Sequence, residues 1–255
     1  MKMRVANGVV AGRGTSKTSR GWNVAASCRA ILMAIFTLAV KGVAIEQVTG
    51  AEAQRLAIRV RVYTYTEVSA ADLAVAERVA TKIYREAGVD LSWVECPKQA
   101  QPTAFCRSLN SPTEIFVRVV PDFARSPYLD GLSMGYALAT PPPDRGYLAS
   151  ISYVRVKKQL LGTPGLTFLT FGQLLGVGIA HEMGHLLLGT NSHSPSGLMC
   201  AHWNARELML AAYGQLNFSA TQAEAIRTDV QARMRDQASR QPAAAQAVPP
   251  VSIAH

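Results

Sequence analysis

The segment Phe171–Leu188 constrains this chain more than any other. It is apolar on nearly every side, so a helix built from it has no face to offer water and must be buried. Its limits are local: Thr170 and Gln173 form a T-x-x-Q capping box at the start, and Gly189 is placed to end it. Gly172, Gly176, Gly178 and Gly184 weaken its intrinsic helix propensity, so packing has to hold it. Within this apolar run stand two imidazoles and a carboxylate, His181, Glu182 and His185. Such groups are costly to bury without a partner.

The chain around it reads as an α+β domain. Arg55 to Val68 alternates Leu56, Ile58, Val60 and Val62 with polar neighbours, the period of two of a half-buried strand. Ser69 caps a helix with Leu73, Val75, Val79 and Ile83 at helical spacing, stopped by Gly88. Leu91 to Cys96 and Glu114 to Val120 are β-rich, and Gly135 to Thr140 pairs with Tyr147 to Val156 around a Pro-Pro-Pro-Asp-Arg-Gly turn. Pro97 to Pro112 has little pattern. A last helix, capped by Ser219, is predicted from about Ala220 to Arg235, and the Ala, Gln and Pro composition beyond Gln237 predicts a disordered tail.

The chemistry is carried by His181-Glu182-Met183-Gly184-His185. Four of the five histidines fall between positions 181 and 202. On a helix, residues i and i+4 share a face, so His181 and His185 can bind one tetrahedral metal while Glu182 turns towards the adjacent open position. The alternative is a buried helix whose imidazoles simply bond to backbone carbonyls. Two histidines do not complete a catalytic zinc site, and downstream stand Gly189, His193 and Met199.

Through these residues the chain resembles, over about residues 171–199, the metzincin clan of zinc metallopeptidases and within it the matrixin-like bacterial members. The family pattern H-E-x-x-H-x-x-G-x-x-H would put Gly and the third His where this chain has Leu188 and Asn191. Gly189 comes one residue late and His193 two, whereas Met199 falls where matrixin-like spacing puts the Met of the turn beneath the metal. The resemblance implies a metzincin-like catalytic domain: a twisted mixed sheet with a backing helix, an active-site helix and a C-terminal helix. It implies Zn2+ held by His181, His185 and His193, and a zinc-dependent endopeptidase in which Glu182 assists a zinc-bound water. Glu207, on a later helix as in the gluzincin arrangement, is the alternative third ligand, with His202 weaker. Asn191 is weaker still, because a neutral amide binds zinc poorly. In the family an edge strand pairs with an extended peptide substrate, a role open to Met134–Ala139 or to the stretch from Tyr147. No tyrosine stands two residues after Met199, so an astacin-type tyrosine switch has no candidate.

Residues 1–53 read as an export leader. A basic, acid-free stretch to Arg29 precedes Ala30 to Val40, an apolar run of signal-peptide length. Small-residue cleavage sites fall at Val43-Ala44 and at Ala51-Glu52-Ala53, and an uncleaved membrane anchor is the alternative. Almost nothing separates these sites from the strand at Arg55, so latency through a propeptide cysteine is not expected. The leader leaves residues 54–238 as the catalytic domain, 239–255 as the tail, and a secreted or periplasmic location. An oxidising compartment permits a disulfide between Cys96 and Cys106, with Cys200 the odd thiol. The formal charge is +9, but seven of the 26 bases precede Gln54, leaving 19 against 15 acids, a net of +4. With no interleaving of arginine and aromatic residues, this balance argues against a nucleic-acid partner. The competing function is an exported zinc-binding or metal-free interaction protein with the same fold and no catalysis.

Overall fold

In the computed structural model, which describes residues 55–97, 106, 111–123, 133–162, 165 and 167–240, the alternating segment forms strand β1 (Ala57–Thr64). Ile58, Val60 and Val62 enter the core, and the residues between them point to the opposite face of the sheet. Parallel strands flank β1 on both sides, β2 (Asp90–Pro97) and β3 (Glu114–Val120). Beyond β3 lies β5 (Leu148–Ser152), also parallel, and the short β4 (Gly135–Ala137) pairs antiparallel with it. The five-stranded sheet therefore runs β2-β1-β3-β5-β4, with β4 at one edge.

Helix α1 (Ala70–Glu86) connects β1 to β2, with the Ser69 hydroxyl accepting from the Asp72 N–H at 3.0 Å. It lies on α3 (Phe171–Leu188), whose capping box and Gly189 terminator form as the sequence predicts. The two helix backbones approach closely at Gly172 and Gly176. A Cβ at Gly172 would stand 2.7 Å from the Asp72 carbonyl oxygen, and one at Gly176 would stand 2.5 Å from that of Ala76. Two of the four glycines that weaken α3 as an isolated helix thus create the groove into which α1 fits. The Tyr84 hydroxyl of α1 also donates to the Ala180 carbonyl of α3 at 3.2 Å.

On the other side, α3 meets α5 (Ala220–Arg240) through Arg233, which is 1% exposed. Its Nε donates to Asp229 at 2.6 Å, and its remaining nitrogens donate to the carbonyls of Pro112 at 3.1 Å, Gly146 at 3.0 Å and Leu186 at 3.3 Å. Leu186 belongs to the last turn of α3, where carbonyls have no partner within the helix. One buried cation therefore joins the end of the site helix, the entry to β3 and the turn before β5.

The structure departs from the sequence-based elements at three places. The strand predicted from Tyr147 to Val156 stops at Ser152, and Tyr153–Leu161 is a helix, α2. The Ser152 hydroxyl accepts from the Arg155 N–H at 3.2 Å and starts that helix, while Val156 fills the core, so a cap and tertiary packing override β-rich composition. Ala205–Ala212, unassigned from sequence, is a further helix, α4. The last helix, α5, runs to Arg240 rather than Arg235 and takes in the first two residues of the predicted tail. The predicted leader 1–53, residues 241–255 of the tail and most of the stretch between β2 and β3 lie outside the described residues.

Cys96 and Cys106 form a disulfide and Cys200 is free. Among the described residues no helix is long and apolar enough to cross a membrane.

Two outcomes follow from this packing. Gly176→Ala should cost about 2 kcal/mol through overpacking against α1, seen as a lower urea midpoint with an unchanged m value. Glu77 of α1 is pushed up from 4.5 to about 7 by burial and, secondarily, by Glu95. The folded chain then keeps a proton that the unfolded chain loses, so stability falls as pH rises from about 4.5 through 7. Glu77→Gln should flatten the decline in Tm between pH 5 and pH 8. An unchanged decline in the variant would refute this assignment.

Candidate metal centre

His181 and His185 project from one face of α3, 7% and 4% exposed. Each is fixed by its Nδ1–H, His181 donating to the Leu198 carbonyl at 2.7 Å and His185 to that of Thr190 at 2.8 Å. A carbonyl only accepts, so both protons must sit on Nδ1 and both Nε2 atoms carry lone pairs. Those two Nε2 atoms face each other at 3.1 Å. Facing lone pairs at that distance need a cation between them. Protonation is opposed, because burial, reinforced by His185 and His193 and opposed by the Leu198 carbonyl, lowers His181 to about 3. His185 is likewise lowered, first by burial. Near neutral pH this leaves a metal ion as the fitting partner. Two zinc–nitrogen bonds of about 2.0–2.1 Å at a tetrahedral angle span roughly 3.3 Å, close to the spacing present.

The third imidazole arrives by chain reversal. Gly189 takes a left-handed conformation (φ +64°), and its N–H returns to the His185 carbonyl. The Ser192 N–H then donates to the Thr190 hydroxyl at 3.1 Å, and the Ser194 N–H to the Met199 carbonyl at 2.8 Å. The loop so closed carries His193 back over the helix, with its ring centre 4.8 Å from that of His185 and 5.4 Å from that of His181. One nitrogen from each of His181, His185 and His193 lies within 4.8 Å of the others, a group able to hold a metal ion.

Met199 is buried beneath Gly184, where an added Cβ would stand 2.7 Å from its Sδ. It therefore fills the space under the helical turn that joins the two helix histidines. Glu207, the alternative ligand, is not in the cluster: it is buried in α4, where its carboxylate accepts from the Asn204 N–H at 3.3 Å in a capping box. Asn191 and His202 border the cleft without joining the three-histidine group. Trp203 had no signature in the sequence beyond its place near Met199. Its Nε1–H donates at 3.1 Å to the Leu198 carbonyl that also receives His181, and its ring meets that of His181 edge-on at 5.5 Å.

Glu182 follows His181 and is 7% exposed. It opens into a cleft of about 470 Å³ bounded by β4 on one side and by Cys200 to Trp203 on the other. Burial raises its carboxyl from 4.5 to about 8. A cation held by the histidines would oppose that rise.

No family model and no curated protein matches the sequence. Among solved structures, the chain is similar to an archaemetzincin from Methanopyrus kandleri, with 14% identity and a TM-score of 0.46 over 70% of this chain and 98% of that one. It is also similar to metalloproteinase-II from Bacteroides fragilis, with 13% identity and a TM-score of 0.43 over 69% of this chain and 54% of that one.

The donor set predicts one zinc per chain by elemental analysis. Saturating zinc at about 100 times its Kd should add about 2.7 kcal/mol of stability, read as a higher Tm. His193→Ala should lose most of both effects, and full retention of zinc by that variant would remove His193 from the set.

Proposed function

We propose that this chain is an exported zinc-dependent endopeptidase, with His181, His185 and His193 as metal ligands and Glu182 as general base. The observation that carries the reading is the pair of Nε2 atoms facing each other at 3.1 Å, in the same cleft as a buried carboxylate. Export is supported by the leader sequence and by the Cys96–Cys106 disulfide. Bound zinc supplies a Lewis acid that polarises the scissile carbonyl and acidifies a water.

The chain's own residues account for the rest. The Leu198 and Thr190 carbonyls hold the two helix imidazoles in the tautomer that donates a lone pair. Glu182 takes the proton of the attacking water and delivers it to the leaving amine, for which its position in the cleft suits it. The substrate is an extended peptide. β4 pairs only with β5 among the described strands, so its other edge offers N–H and C=O groups to a further strand.

Glu182→Gln should keep its zinc and lower kcat on a peptide library by at least about 100-fold, because the residue acts as a base and not as a ligand. Substantial residual hydrolysis would end that role assignment. Zinc bound by the wild type with no hydrolysis of any library peptide would instead favour a zinc-binding interaction protein.

A further inference from the structure

We infer that Gly135 of β4 is a positioning residue for Glu182: the strand carries no side chain there because the carboxylate occupies that space. The catalytic consequence rests on the function proposed above, whereas the contact does not. A Cβ at Gly135 would stand 2.6 Å from Oε1, 2.7 Å from Cγ and 2.8 Å from Cδ of Glu182. The overlap involves most of one side chain, including its stem, so rotating the carboxylate alone does not relieve it. Gly135 is not among the glycines with positive φ, so its backbone conformation is open to any residue. Glu182 alone supplies all three nearest contacts that exclude a side chain.

Neither partner can easily retreat. β4 is locked to β5 by the pairs Gly135 with Ile151, Tyr136 with Ser150 and Ala137 with Ala149, and the Ser152 N–H donates to the Met134 carbonyl at 2.8 Å. On the helix side, α3 is held against α1 at Gly172 and Gly176, and the imidazoles before and after Glu182 are fixed by their carbonyl partners. A methyl group at position 135 therefore displaces the carboxylate by about 1 Å, a misplacement large enough to cost up to about 100-fold in rate. The bare position also sets the base against the strand whose free edge would hold the peptide, so the proton acceptor and the substrate backbone share one rigid reference.

The test is a double-mutant cycle on the full chain. In metal-free protein kept in chelator, Gly135→Ala should lower Tm by about 5 °C through overpacking. In a Glu182→Ala background the same substitution should cost nothing. With zinc bound, Gly135→Ala should keep full metal content and a KM within about twofold while kcat falls about 10-fold to 100-fold. An equal Tm loss in both backgrounds, or an unchanged kcat, overturns the inference. If Gly135→Ala alone does not fold, recovery of folding in Gly135→Ala/Glu182→Ala supports it, and failure of both variants overturns it. A wild type that hydrolyses nothing refutes the proposed function, while the Tm cycle still decides the contact.

Discussion

The structure depends on the close approach of α1 to α3 at Gly172 and Gly176. A helix without a polar face cannot lie at a surface, and one interrupted by glycines is held poorly by its own hydrogen bonds. Both deficits are met by a second helix pressed against bare backbone on one side and by the sheet and α5 elsewhere. With α3 so confined, two imidazoles and a carboxylate can be kept buried at fixed positions. In an exposed helix the same residues would be solvated and mobile.

Much of the fold is legible where its signal is local. The alternation of Ile58, Val60 and Val62, the Ser69 cap, the Thr170–Gln173 box and Gly189 act within a few residues, and each marks an element that forms. The signals fail where two local rules compete. Tyr153, Val154 and Val156 favour a strand by composition, yet the Ser152 hydroxyl begins a helix that places Val156 in the core. Asn204 and Glu207 have capping-box spacing, but an acidic residue downstream of two helix histidines also suits a metal ligand, so the spacing alone does not separate a helix start from a ligand.

At the site, the helix histidines and Glu182 are legible because one turn of helix sets their relation. The return of His193 is only partly so, since it depends on the turn from Gly189 to Ser192, whose course is set by contacts with Met199 further along the chain. The supporting groups are not legible at all. The Leu198 and Thr190 carbonyls have no side-chain signature, and Trp203 matters only because its N–H shares the oxygen that receives His181. Gly135 looks like an ordinary strand glycine until the distance to Glu182 is known.

Arg233 gives the architecture an order in time. Its guanidinium closes on carbonyls at Pro112, Gly146 and Leu186, three separate stretches that all precede the arginine in the chain. During synthesis from the N-terminus, these oxygens emerge before the side chain that satisfies them. The Leu186 carbonyl in the last turn of the site helix therefore gains its guanidinium donor only once α5 has been made. The end of the helix that carries His181 and His185 is thus tied to a residue 47 positions further along the chain.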